Sequence, residues 1–129
     1  MRLVADAMRR PPVVVEPSTT VQETSARMLD AGMHAAVVVD DGAVCGLVTV
    51  ERISAALSKG YDASETLSGV IADRRPPMIA PDEPLADAHQ LMRSVGHPLA
   101  PVVGPKREPL GLLEDPEAGS PPTRSDVGA

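Results

Sequence analysis

The period of apolar and polar positions changes several times along the chain, and each change marks an element. Val13-Val14-Val15 is a continuous β-branched run, the pattern of a buried strand. Beyond Pro17 the spacing becomes helical, with Val21, Met28 and Leu29 on one face and small Ser25 beneath them. Ser18 or Thr19 is placed to cap this helix, with Gln22 and Glu23 in range of a capping box, and Gly32 stops it. Ala35–Val39 predicts a second strand, Asp40-Asp41-Gly42 a hairpin turn, and Val44–Thr49 a third strand. Helical spacing returns over Glu51–Lys59, apolar at Ile53, Ala56 and Leu57, and ends at Gly60. Ahead of the first strand, Val4–Met8 reads as one helical turn, closed by Pro11-Pro12.

The same order then recurs. Residues 61–66 link to a second lead-in turn at Thr66–Ile71, and Met78-Ile79-Ala80 reads as a strand. Asp82 is placed to cap a helix with the inner face Leu85, Ala88, Met92 and Val95. Leu99–Val103 and Leu110–Leu113 form a hairpin around a longer turn, Gly104–Pro109. Pro17, Val21, Met28 and Gly32 return 64 positions later as Pro81, Leu85, Met92 and Gly96, and Gly46 returns 65 later as Gly111. Arg9-Arg10-Pro11-Pro12 is answered by Arg74-Arg75-Pro76-Pro77. Two copies are too few for a solenoid. They predict an α+β fold of two β-α-β-β-α repeats packed as a pseudo-twofold pair, over residues 1–65 and 66–118, with ligand sites where the halves meet. The last helix, begun at Glu114-Asp115-Pro116-Glu117-Ala118, is cut short by Gly119 and Pro121-Pro122. Its absence would expose apolar surface for a second subunit to cover. Residues 119–129 read as a disordered tail.

Composition narrows the function classes. The 129 residues contain no Phe or Trp and one Tyr, so the core is built from Val, Leu, Ala, Ile and Met. A formal charge of −6 argues against non-specific attraction to nucleic acid or to an anionic membrane surface. Cys45 is alone in an apolar strand, which fits a reducing compartment, and no apolar run approaches membrane-spanning length. A cytoplasmic address is expected. Ten Arg against two Lys, with much Ala, Val and Pro, suggest a GC-rich bacterial genome. No Ser/His/Asp or Cys/His arrangement and no P-loop is present, so no catalytic residue is assigned and an enzyme is not expected. Three scattered His and one Cys make no zinc site.

The pieces Val4-Ala5-Asp6-Ala7-Met8, Pro17-Ser18-Thr19-Thr20-Val21, Val37-Val38-Val39-Asp40-Asp41-Gly42 and Gly46-Leu47-Val48-Thr49 resemble those of a CBS domain. The second set is Pro81-Asp82-Glu83-Pro84-Leu85, Pro101-Val102-Val103 and Gly111-Leu112-Leu113. Two sets in order over residues 2–118 resemble a tandem CBS pair, the regulatory Bateman module named after cystathionine β-synthase. The resemblance implies two sheets packed together with a cleft on each side. It also implies dimerisation into a disc, an adenosine-type ligand such as AMP, ADP, ATP or S-adenosylmethionine, and signalling to a separate protein effector.

In such a site adenine slips between apolar strands, here represented by Val14, Val37, Ile79 and Pro101. A hydroxyl after the third strand meets phosphate, and a carboxylate three residues later accepts from ribose. Thr49 matches the hydroxyl, but Arg52 stands at the carboxylate position and has donors only. Thr49 and Arg52 read either as a modified anion site or as a helix cap beside a solvated side chain. Glu114 replaces the second hydroxyl and Glu117 the second carboxylate. Glu114 would repel phosphate, which leaves an adenosine-type ligand without phosphates, a cation, or a helix N-terminus made acidic for its dipole. His34 and His97 follow the helix-ending glycines and either line the cleft, as the resemblance implies, or punctuate the strand starts, while His89 reads as solvated. The Arg9-Arg10 and Arg74-Arg75 pairs either approach the clefts or sit at helix C-termini. The alternative to a ligand sensor is a ligand-silent pair used for oligomerisation or protein interaction.

Overall fold

The computed structural model describes residues 1–115 and 117. Ten elements follow in order: α1 (Val4–Ala7), β1 (Val14–Val15), α2 (Val21–Ala31), β2 (Ala35–Asp40), β3 (Ala43–Thr49), α3 (Val50–Ser58), α4 (Ser68–Ile71), α5 (Leu85–Val95), β4 (Leu99–Val103) and β5 (Pro109–Glu114). β1 runs parallel to β2, which pairs antiparallel with β3. In the second half β4 and β5 pair antiparallel, and Ile79 bridges Val102 in the parallel sense where β1 has its counterpart. Both hairpins carry an irregularity at the same repeat position, Val38/Val39 and Val102/Val103. Asp41 and Gly42 both have positive φ (55° and 82°), as a two-residue primed turn requires.

The central strands are buried on both faces, which is why they read as unbroken apolar runs. Ala36, Val38 and Val48 face a helical layer with Val21, Met28, Ile53 and Ala56. Ala35, Val37 and Leu47 face the other way and meet Leu99 and Leu112 between the two sheets. Ala100, Val102 and Leu113 face the second helical layer with Leu85, Ala88 and Met92.

The lead-in turns cross over. Val4 of α1 packs in the core of the second half, beside Ile79 and Leu85, while Ile71 and Ala72 at the end of α4 pack in the core of the first. Each crossing chain forms a backbone bridge with the other half's third strand: Arg9 with Leu112, and Asp73 with Leu47. A Cβ on Gly111 would stand 2.9 Å from the Arg9 carbonyl, and one on Gly46 would stand 3.2 Å from the Asp73 carbonyl. The repeated glycine is therefore the footprint of the crossing.

Several expected details differ. Thr20, not Ser18 or Thr19, caps α2, its Oγ1 accepting from the Glu23 amide at 3.1 Å. The buried face of α2 is Val21, Thr24 and Met28, which turns Leu29 outward at 82% exposure. Leu57 and Val95 are also about half exposed (46% and 49%), each one step around from the buried stripe. Pro84 rather than Asp82 stands at the start of α5, with no side-chain cap. Glu114 closes β5 instead of opening a helix. The rest of the expected final helix, Pro116 and Ala118, and the expected tail at 119–129 lie outside the described residues.

Candidate functional site

The strand ends that carry chemistry sit together where the halves meet. Ala35 pairs with Thr49 at one hairpin end and Leu99 with Glu114 at the other, so Thr49 and Glu114 hold equivalent places. A hollow of about 370 Å³ between these ends is lined by His34, Val50, Glu51, Pro98, Leu99 and Glu114. Arg9 reaches this region because its backbone is bridged to Leu112, two residues before Glu114.

Glu114 is the centre of this cluster. Its Oε2 lies 3.7 Å from Arg9 Nη1 and 3.5 Å from His34 Nδ1. Both separations are too long for a hydrogen bond, and Oε2 is enclosed without a donor among the described residues. Arg9 Nη1 instead donates to the Gly32 carbonyl at 3.0 Å. The guanidinium and imidazole donors that would greet a phosphate thus already face a carboxylate. Arg9 accordingly approaches the cleft, one of the two alternatives left open for the arginine pairs.

The first repeat is wired differently. Thr49 caps α3, its Oγ1 accepting from the Arg52 amide at 3.2 Å. The Arg52 guanidinium donates from Nε to the Ile71 carbonyl at 2.6 Å and so ties α3 to the crossing chain. Beside it lies a second hollow of about 340 Å³, lined by Arg52, Ala55, Lys59, Tyr61 and Val70 among others. Where the second half places Arg9 in the bridge, the first places Asp73, whose Oδ2 lies 3.7 Å from His97 Nε2.

The remaining candidate residues lie elsewhere. Glu117 is exposed and pairs with Arg93 Nη2 at 3.3 Å. Val37 and Ile79 have essentially no accessible surface, and Pro101 is buried opposite Leu112. Val14 is 38% exposed at the outer edge of β1, where its carbonyl accepts from Arg27. His89 is half-buried rather than solvated, with Nε2 enclosed and without a partner among the described residues. Cys45, expected inside an apolar strand, is exposed on β3. Partial burial and the charge of Asp40 push its thiol pKa up against the pull of Arg74.

The residues that sequence reasoning passed over as site residues are Glu51, Pro98, Leu99 and Asp73, the partner of His97. Pro98 stands 64 positions after His34, and Asp73 stands 64 after Arg9, so the repeat itself carried the signal. Among the described residues no three His, Cys, Asp or Glu side chains are grouped to hold a metal ion. Nor, among them, is any helix long and apolar enough to cross a membrane.

None of the curated proteins matches this chain. Among solved structures, the CBS domain pair of protein MJ0100 in complex with 5′-methylthioadenosine and S-adenosyl-L-methionine superimposes with a TM-score of 0.80 at 22% identity, covering 88% of this chain and 90% of that one. The CBS domain protein PAE2072 from Pyrobaculum aerophilum, complexed with AMP, gives 0.80 at 21% identity, covering 88% and 87%. Hypoxic Response Protein I with two coordinated zinc ions gives 0.75 at 18%, covering 88% and 92%. At these identities the likeness is one of fold. The CBS domain family model matches residues 4–59 and again 67–115, most of the chain, and the protein belongs to the CBS domain family as a tandem pair.

Proposed function

We propose that this CBS pair is a regulatory module that senses an adenosine-type ligand and signals to a separate partner protein. Of AMP, ADP, ATP and S-adenosylmethionine, the cleft at Glu114 favours the one without phosphate. The observation that carries this is the Glu114 carboxylate standing at the hydroxyl position, with one oxygen enclosed between Arg9 and His34 and without a donor among the described residues. An unpaired acceptor rewards a ligand that brings a donor or a positive charge. A phosphate there would meet Glu114 at contact distance in a partly desolvated site. The two molecules crystallised with the MJ0100 pair are both phosphate-free, whereas PAE2072 was crystallised with AMP.

A second reading, a ligand-silent interaction module, draws support from Arg52. Its bond to the Ile71 carbonyl fills the place where a ribose-binding carboxylate is expected. One panel separates the readings. Thermal unfolding is followed by circular dichroism with AMP, ADP, ATP, adenosine, methylthioadenosine and S-adenosylmethionine in turn. A ligand at 100 times its dissociation constant adds about 2.7 kcal/mol, several degrees for a domain of this size. A shift with the phosphate-free compounds supports the sensor. No shift with any compound supports the interaction module.

A further inference from the structure

A third cavity lies toward the turn end of the two hairpins, away from Thr49 and Glu114. It has a volume of about 490 Å³ and is lined by Val44, Cys45, Pro76, Met78 and Val103 together with Arg74, Arg75 and Arg107. Three of the chain's twelve Lys and Arg residues therefore gather on one hollow of a protein with a net charge of −6. No carboxylate lines it. Among the described residues none of the three guanidinium groups forms an ion pair, since the pairs found involve Arg9, Arg27, Arg93, His34 and His97. Arg74 donates to the Gly69 carbonyl at 2.9 Å, and the side chains of Arg75 and Arg107 have no hydrogen-bond partner among the described residues.

All three arginines are exposed, and the backbone beneath Arg75 and Arg107 is held by hydrogen bonds. The Arg75 amide donates to Asp73 Oδ1 at 2.9 Å. Arg107 adopts φ 63°, an unusual conformation for a residue with a side chain, and is fixed on both sides. Its amide donates to the Gly104 carbonyl at 2.9 Å, and its own carbonyl accepts from Val44 at 2.8 Å. Of the nearby carboxylates, Asp73 faces His97 and accepts from the Arg75 amide, Glu108 accepts from the Lys106 amide, and Asp40 acts on Cys45.

We infer that this cavity is an anion site for a small phosphorylated organic molecule, separate from the adenosine clefts. One carboxylate saturates a single guanidinium fork, whereas the three terminal oxygens of a phosphate can engage several. The cavity is larger than a phosphate group, and Val44, Pro76, Met78 and Val103 offer an apolar floor for an organic body. Counted from the bridge residues Arg9 and Asp73, Arg10 and Pro11 of the first half stand where Arg74 and Arg75 stand in the second. Neither Arg10 nor Pro11 lines this cavity.

The test is calorimetric titration of the full chain at low salt with phenyl phosphate and with inorganic phosphate. Phenyl phosphate is expected to bind, more tightly than inorganic phosphate. Arg75→Gln and Arg107→Gln should each weaken it about tenfold, one lost charge-assisted contact apiece. Arg10→Gln should leave affinity unchanged, and circular dichroism should show all three variants folded. No heat at millimolar ligand, or affinity unaffected by Arg75→Gln and Arg107→Gln, would overturn the site. An equal loss in Arg10→Gln would reduce it to general electrostatics and overturn it as well. Inorganic phosphate binding as tightly as phenyl phosphate would overturn the assignment of an organic ligand.

Discussion

Arg9 and Asp73 stand 64 residues apart in the chain and hold the same place in the two halves, with opposite charge. Each forms the backbone bridge by which a lead-in crosses onto the other half's third strand, Arg9 with Leu112 and Asp73 with Leu47. The fold has kept the crossing and inverted its electrostatics. Arg9 faces Glu114, while Asp73 faces His97. A pair built this way has two unlike clefts, and a single ligand is not expected to fill both.

The inversion at Glu114 is reversible by mutation. Glu114→Thr restores a hydroxyl at the strand end and releases Arg9 and His34 from their carboxylate. AMP affinity is expected to rise by about tenfold or more, since a repulsive charge is removed and the Arg9 guanidinium is freed. S-adenosylmethionine affinity should fall in the same variant. Calorimetric titration of both ligands against both proteins reads this directly. Unchanged AMP affinity would show that Glu114 does not guard the cleft.

The crossing chains predict a graded response at the repeated glycines. A methyl group on Gly111 would press on the Arg9 carbonyl at 2.9 Å and on Met8 Sδ at 2.8 Å. At Gly46 the nearest atoms are at 3.2 Å, the Ala72 Cβ and the Asp73 carbonyl. Gly111→Ala should cost about 1–3 kcal/mol by overpacking, and Gly46→Ala less. Urea unfolding midpoints compare them. The reverse order would mean that the crossing at Arg9 is looser than its geometry.

Much of this fold was legible from the repeat alone, because burial on both strand faces writes Val37-Val38-Val39 and Val102-Val103 as apolar runs. What the sequence concealed is which half each lead-in serves. Val4 and Ile71 each precede the strand of their own repeat, and nothing in their spacing says that they pack in the other one. The site was half legible. Thr49, Arg52, Glu114 and the Arg9 pair were identified from residue type and position. The tie from Arg52 to the Ile71 carbonyl and the enclosure of Glu114 depend on that crossing, and so could not be read. The outward turn of Leu29 has a local cause: its helix buries Thr24, a polar residue that hydropathy places outside.

Thr24 is buried because it has a partner across the crossing. Its Oγ1 lies 2.6 Å from Ser68 Oγ, both residues have no exposure, and together they pin α2 to α4. Ser68→Ala would leave the Thr24 hydroxyl buried and unpaired, at a cost of about 1–3 kcal/mol. The double variant Ser68→Ala with Thr24→Val removes both polar groups and should recover part of that loss. Equilibrium unfolding of the four proteins in the cycle measures the coupling. Strict additivity would show that the two hydroxyls do not depend on each other.

The end of β5 carries the acid sensitivity of the second half. Asp115 is almost fully buried, and burial by itself pushes its carboxyl pKa up. That push is outweighed by the Arg93 guanidinium, whose Nε donates at 2.8 Å, and by the Glu117 amide at 3.1 Å, so the net shift is downward. A carboxyl held below its unfolded pKa adds stability that is fully present above the unfolded value, about pH 4, and is lost as pH falls through the folded value. The stability difference between the wild type and Asp115→Asn should therefore be constant near neutrality and shrink as pH falls below about 4. Arg93→Ala should be destabilising at neutral pH, because it leaves the Asp115 carboxylate buried without its guanidinium partner. Urea unfolding of the three proteins from neutral to strongly acidic pH tests both statements. A wild-type to Asp115→Asn difference that does not change with pH would mean that Asp115 holds this strand end by shape rather than by charge.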